Sequence, residues 1–109
     1  MVTKGKVFII TGASSGIGAE LAIQLAKKEA LIVCAARSLP KLKELCKGIN
    51  ADGGSAIAVK VDITNKKQCD NMIDQTIKSY KKIDGLILNA GVSMWAKFDE
   101  IKDYIKSTY

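Results

Sequence analysis

The residues best able to do chemistry form one short run, Thr11-Gly12-Ala13-Ser14-Ser15-Gly16-Ile17-Gly18. An apolar, partly β-branched segment, Lys6-Val7-Phe8-Ile9-Ile10, leads into it, and an apolar pattern with helical spacing begins at Ile17. Strand, tight turn, helix leaves the first backbone N–H groups of the helix without partners and aims its dipole at the turn, so an anion is favoured there. The glycines divide the work. Gly12 lets the chain turn sharply off the strand, where a positive φ is costly for other residues. Gly16 lets a pyrophosphate approach the backbone, and Gly18 lets the helix lie close to the strand. The plain alternative is an ordinary glycine loop. The strand before it and the helix after it favour nucleotide binding.

Three further positions follow later apolar runs: Arg37-Ser38, Asp62-Ile63 and Asn89-Ala90-Gly91. Each has a bland reading. Arg37 is a surface cation, Asp62 a turn or helix-cap residue, Asn89 a strand terminator. Their weight comes from where the elements put them.

Those elements alternate. Ala30–Ala36, Ser55–Val61 and Ile83–Asn89 read as strands after the first, and the second strand is apolar on both faces, as in a parallel sheet covered on each side. Between them lie helical patterns. The first runs from about Ile17 to Lys28, with Leu21, Ala22 and Leu25 on one stripe. The second starts after Ser38, has Pro40 early in its first turn, and buries Leu39, Leu42, Leu45, Cys46 and Ile49. The third is capped by Thr64 or Asn65 and carries Cys69, Met72, Ile73, Thr76, Ile77 and Tyr80, with Tyr80 as core filling. Phe98, Ile101, Tyr104 and Ile105 begin a fourth. The fold class is therefore α/β, a Rossmann-type doubly wound parallel sheet with strand order 3-2-1-4, truncated after the fourth strand. Ligands bind such sheets outside the carboxyl ends of the strands, and all four candidate stretches converge there.

Composition narrows the class. The chain has 109 residues and is 48% hydrophobic and 26% charged, which suits one soluble globular domain at most. No apolar run approaches the roughly 20 residues of a membrane span, and the N-terminus lacks the pattern of a secretory signal. Cys34, Cys46 and Cys69 are spread along the chain without metal-ligand spacing and without any histidine, so they read as reduced, half-buried thiols of a cytoplasmic protein. Membrane association of a longer parent is left open. The net charge of +6 comes from dispersed lysines on outer helix faces, which reads as solvated surface rather than a nucleic-acid footprint.

The T-G-x-x-x-G-x-G run, together with N-A-G at Asn89–Gly91, resembles the short-chain dehydrogenase/reductase family, and the likeness extends over essentially the whole chain. The segment Asn89 to Glu100 looks most like the hydroxysteroid dehydrogenase branch. The resemblance implies that Gly12, Ser14, Gly16 and Ile17, with Ser15 and Gly18 in the same turn, line the cofactor phosphates. It implies that Asp62 accepts from the adenine amino group with Ile63 beside it, and that Asn89, Ala90 and Gly91 pass under the adenosine ribose and steady the sheet. A carboxylate at the end of the second strand would repel a 2′-phosphate. This chain has Ala36 there, followed by Arg37, its single arginine among 17 basic residues. The guanidinium fork suits phosphate oxygens. NADP(H) is therefore expected in preference to NADH, with the Ser14 and Ser38 hydroxyls as secondary donors. Some NADP-using relatives carry a second basic residue before the middle glycine, where this chain has Ser15.

The family's chemistry needs a tyrosine as general acid/base, a lysine four positions later to lower its pKa, and a serine to polarise the carbonyl. No Y-x-x-x-K occurs here: Tyr80 is followed at that spacing by Asp84, Tyr104 by Thr108, and Tyr109 is last. The fourth strand is apolar and would be an exposed edge. Residues 1–109 are thus expected to be an incomplete NAD(P)-binding domain. It would be the cofactor half of an oxidoreductase passing hydride between nicotinamide and a carbonyl or secondary alcohol. The substrate would be small, with an apolar leaning suggested by Ser93, Met94 and Trp95, and the complete enzyme would be a homo-oligomer. Two rivals remain: a non-catalytic nucleotide-binding fragment or pseudoenzyme, and another Rossmann-type nucleotide user.

Overall fold

The computed structural model describes residues 3–14 and 16–89. Its strands are β1 (Val7–Thr11), β2 (Leu31–Ala36), β3 (Ser55–Lys60) and β4 (Gly85–Ile87), and its helices α1 (Gly16–Lys27), α2 (Leu39–Ala51) and α3 (Lys66–Tyr80). All strand pairs are parallel and the order is β3-β2-β1-β4, as the alternation of elements predicts. Right-handed crossovers force this layout, since β2 and β3 wind outward on one side of β1 and the chain then returns to place β4 on the other.

Side-chain alternation along the strands builds two cores. Ile10, Ile32, Cys34 and Ala56 face α1 and α2, while Ile9, Val33, Ala35 and Val59 face α3. Because β1 and β2 lie at the centre, both faces of each are covered, and Ile9, Ile10, Ile32 and Val33 are fully buried. Removing a side chain of this size from water is worth about 1.5–3 kcal/mol, so these strands carry much of the hydrophobic stabilisation.

Four details depart from the sequence reading or decide between its alternatives. The first concerns α1, whose buried residues are Gly18, Ala22 and Ala26, with Leu21 and Leu25 only half-buried. The helix lies so near the sheet that small residues at four-residue spacing form its contact line. The second concerns β4, expected over Ile83–Asn89 but paired only over Gly85–Ile87. Upstream, the Asp84 carboxylate replaces a ladder partner by accepting from the Val7 N–H at 2.8 Å, while the Asp84 N–H donates to the Val7 carbonyl at 2.8 Å. Downstream, the Asn89 N–H leaves the ladder for the Thr11 hydroxyl at 3.2 Å. Within the described residues β4 is an edge and is half-buried throughout. The ring of Phe8 lies over Gly85, where a Cβ would come within 2.6 Å of it.

The third settles the cap of α3, for which the sequence offered Thr64 or Asn65: it is Asn65. The Asn65 side chain accepts from the Gln68 N–H at 3.1 Å. The fourth concerns the cysteines, which are buried rather than half-buried, and all three are free thiols. Cys34 on β2 and Cys46 on α2, distant in sequence, meet as a hydrogen-bonded pair. That bond and burial push the Cys34 thiol well above its usual range. Tyr80 fills core as expected, packing beside α3's apolar face. Burial raises its hydroxyl's pKa, and the hydroxyl shares a 2.9 Å hydrogen bond with Ser55. The fourth helix expected from Phe98 onward lies outside the described residues.

Candidate functional site

The three loops at the carboxyl ends of β1, β2 and β3 enclose a cleft of about 370 Å³. Thr11, Gly12 and Ser14 line it from the first loop, Ala35 to Ser38 from the second, and Val61, Ile63 and Thr64 from the third. This convergence follows from parallel topology, in which every strand delivers its following loop to the same end of the sheet.

The glycine turn is held from two sides. The Ala13 N–H donates to the Ala35 carbonyl at 3.2 Å, tying the turn to β2. The Asn89 side-chain amide donates to the Gly12 carbonyl at 3.4 Å, tying it to the end of β4. Gly12 has φ +64, and a Cβ on it would collide with the Asn89 carbonyl oxygen. Gly18 is equally confined, since a Cβ there would lie 2.6 Å from the Asn89 amide nitrogen and still closer to the Gly12 carbonyl. Gly16 differs. It opens α1 with φ +59 and has no atom near the place a Cβ would occupy. The first and third glycines thus serve close packing within the protein, and the middle one keeps open space at the helix N-terminus. Beside it Ile17 is 78% exposed, the one large hydrophobic side chain so exposed among the described residues.

Arg37 and Ser38 follow β2 directly. Ser38 is the N-cap of α2 by position, but its side chain makes no cap hydrogen bond. Neither Arg37 nor Ser14 has a side-chain hydrogen bond or ion pair among the described residues. Three polar side chains from two loops therefore border the cleft with their donors free.

Asp62 follows β3, between Val61 and Ile63 in the chain, and borders the cleft without being among the residues that line it. Its Oδ1 accepts from the Thr64 hydroxyl at 2.7 Å and from the Thr64 N–H at 3.0 Å. These two bonds lower its pKa, and the Arg37 cation adds a smaller effect in the same direction. Asp62 is thus ionised, and it does serve a turn, as the bland reading held. Asn89 does both: its N–H leaves the ladder just after β4, and its side chain ties the glycine turn to that segment. Ser15, Ala90 and Gly91 lie outside the described residues, as do Ser93, Met94 and Trp95.

Sequence reasoning did not include Thr64 or Val61 among the site residues. The Asp-x-Thr spacing, which favours a side-chain-closed turn, was the available signal for Thr64. A second cleft of about 300 Å³ opens at the opposite end of the sheet between α1 and α2, with Ile23, Leu45 and Ile49 among its walls. No sequence-predicted site residue lines it. Among the described residues no group of three or more metal-ligating side chains forms, and no helix is long and apolar enough to cross a membrane.

A glycine turn under a helix N-terminus, free donors on the neighbouring loop and a carboxylate on the next define a Rossmann-type α/β protein with a ligand cleft at its strand ends. Comparison with known proteins narrows the class: the family model for short chain dehydrogenases matches residues 6–106, and the chain belongs to that oxidoreductase family. An uncharacterised oxidoreductase of Listeria innocua is 42% identical over 103 residues, covering 94% of this chain and 42% of that protein. The 11-beta-hydroxysteroid dehydrogenase A of Sesamum indicum is 37% identical over 100 residues, covering 91% of this chain and 29% of that protein. Among solved structures, a hydroxysteroid dehydrogenase from Escherichia coli superposes with a TM-score of 0.90 at 27% identity, over 96% of this chain and 52% of that one. The L-sorbose reductase of Gluconobacter frateurii, complexed with NADPH and L-sorbose, gives a TM-score of 0.78 at 35% identity, over 84% of this chain and 36% of that one. The chain spans less than half the length of the curated relatives it matches.

Proposed function

We propose that this chain is the dinucleotide-binding half of an NADP(H)-dependent oxidoreductase acting on a carbonyl or secondary alcohol. The observation that carries the reading is the β2 end. Ala36 stands where a ribose-binding carboxylate would repel a 2′-phosphate, and Arg37 beside it is exposed and makes no hydrogen bond or ion pair among the described residues. The free hydroxyls of Ser14 and Ser38 border the same cleft. A relative that binds NADPH, the L-sorbose reductase, shares the fold.

The residues present fit such a cofactor. The open space at Gly16 and the N-terminus of α1 suit the pyrophosphate. Arg37, with Ser38 and Ser14, holds the 2′-phosphate, and the Asp62 carboxylate accepts from the adenine amino group. By the family resemblance, Asn89, Ala90 and Gly91 would pass under the adenosine ribose and steady the sheet, and Ser15, Ile17 and Gly18 would join Gly12 at the phosphates. When bound, the nicotinamide supplies or receives hydride at C4. The part played by this chain is to bind and orient the adenosine end, and to hold the turn rigid through Asn89.

No tyrosine in these 109 residues is followed four positions on by lysine. That observation favours a second reading of the polypeptide by itself, as a dinucleotide binder without turnover. The substrate class, a cytoplasmic location and self-association of a longer enzyme belong to the same proposal.

Titration of the folded 109-residue chain with NADPH and NADH, beside Arg37→Ala, tests both readings. The expected result is tighter binding of NADPH, with a loss of about tenfold or more in the variant and little change for NADH, as a charge-assisted phosphate contact implies. Equal affinities unaffected by Arg37→Ala would sink the NADP(H) assignment. Steady oxidation of NADPH by this polypeptide with a carbonyl substrate would overturn the second reading.

A further inference from the structure

Thr64 stands at an unusual junction. It lines the cleft, yet it takes no part in capping the helix that follows, because Asn65 does so by accepting from the Gln68 N–H at 3.1 Å. Both donors of Thr64 go instead to a single oxygen, Asp62 Oδ1, at 2.7 and 3.0 Å. An ionised carboxylate has two acceptor oxygens. Two donors on one of them fix the rotation of the group and leave Oδ2 without a hydrogen bond among the described residues. The backbone of Asp62 is held as well. Its N–H donates to the Gln68 side-chain carbonyl at 2.7 Å, and its carbonyl accepts from the Asn65 N–H at 2.9 Å. Gln68 therefore reaches past the cap residue, which a capping-box glutamine normally serves, and grips Asp62 instead.

We infer that Thr64 is a positioning residue for base recognition: it locks the Asp62 carboxylate so that its second oxygen is presented, unpaired, to the exocyclic amino group of an adenine. The inference rests on the proposed dinucleotide reading. A freely rotating aspartate on an exposed turn would lose rotamer freedom on binding, and the Thr64 bonds remove that loss beforehand. The lock selects for a base that donates at this edge and against one that presents a carbonyl there, because two acceptors would then face each other.

The test uses the folded 109-residue chain and two probes, NADPH and its reduced hypoxanthine counterpart, which carries a carbonyl in place of the adenine amino group. Wild type is expected to prefer NADPH by about tenfold or more, the scale of one hydrogen bond to a charged group. Thr64→Val, which keeps shape and removes the hydroxyl, is expected to lower that ratio several-fold towards unity. Thr64→Ser is expected to restore it. A residue that merely stiffens the loop would weaken both dinucleotides alike and leave the ratio unchanged, so an unchanged ratio in folded Thr64→Val overturns the positioning role. Asp62→Ala separates the two levels. If it abolishes discrimination while Thr64→Val does not, only the Thr64 inference fails. If Asp62→Ala leaves discrimination intact, the assignment of Asp62 to adenine falls, and the inference with it.

Discussion

The two ends of the sheet are finished in opposite ways. At the amino end, where α1, α2 and α3 turn into the next strands, polar groups are matched within the protein. The Asn50 side chain donates to the Ala56 carbonyl and accepts from the Ala56 N–H, at 3.0 and 2.9 Å. The Thr3 hydroxyl donates to the Lys28 carbonyl at 3.0 Å, and Asp84 holds Val7. Glu29 and Lys81 even adopt left-handed φ values of 67° and 70° to close the helix ends. At the carboxyl end, Ser14, Arg37 and Ser38 have no side-chain hydrogen bonds among the described residues. Polar side chains at one end hold the fold, and those at the other are held ready for something outside it. Exceptions at the carboxyl end, Asp62 with Thr64 and Asn89 with Thr11 among them, are fastened in ways that orient the site.

The contrast can be broken most forcefully at Gly18, where the two roles coincide. Gly18→Ala puts a methyl group 2.6 Å from the Asn89 amide and against the Gly12 carbonyl. The Gly12 carbonyl is backbone and cannot swing aside as the Asn89 side chain could, so a loss of about 2–3 kcal/mol is expected, of the size seen on overpacking. Chemical denaturation gives that figure, and dinucleotide binding should fall with it.

Asp84 tests the amino end. Its ion pair with Lys82, 3.1 Å long, is open to solvent and contributes under about 1 kcal/mol. Its bond from the buried Val7 N–H matters more, and Asp84→Ala should cost about 2 kcal/mol by leaving that donor unpaired. Cofactor affinity per folded molecule should not change. The same bond, ahead of the Lys82 contact, lowers the pKa of Asp84 in the folded chain. A group with a lowered folded pKa adds stability above its unfolded value, near pH 4, and loses it as pH falls through the folded value. The acid limb of the stability profile should therefore be shallower in Asp84→Asn.

Arg37→Ala is the mirror case at the carboxyl end. Stability should stay within about 0.5 kcal/mol of wild type, as for an exposed side chain without partners, while NADPH binding weakens tenfold or more. A large stability loss would show that Arg37 belongs to the fold after all. The smallest effect is expected at Lys81, a non-glycine residue with φ 70 whose N–H caps α3 through the Ile77 carbonyl. Lys81→Gly should raise stability by about 0.5–1 kcal/mol, because glycine adopts that conformation without the steric cost. Thermal unfolding is sensitive enough to detect it.

Much of this was legible in one dimension. Strand order, helix placement and the convergence of Gly12–Gly18, Arg37, Asp62 and Asn89 follow from alternating apolar runs and punctuating glycines, which are local signals. Less legible were contacts between residues far apart in the chain. The short β4 could not be read from Ile83–Asn89, because its limits depend on what Asp84 finds at Val7 and what Asn89 finds at Thr11. The small-residue contact line of α1 was masked by Leu21 and Leu25, which look more core-like by type but sit beside the line of closest approach. Cys34 and Cys46 gave no hint of their pairing, and no local signal chose between Thr64 and Asn65 as the cap of α3.

By itself, then, the sequence determined the class of fold, the end of the sheet where a ligand would sit and the residue types available there. Periodicity and turn chemistry are properties of neighbours along the chain, and they need no knowledge of what packs across it. Tertiary structure alone decided which polar groups are consumed in holding the molecule together and which remain free. A hydroxyl or carboxylate has the same identity in either role, and only the position of its partner separates Asp84, bound to Val7, from Arg37, bound to nothing within the described residues.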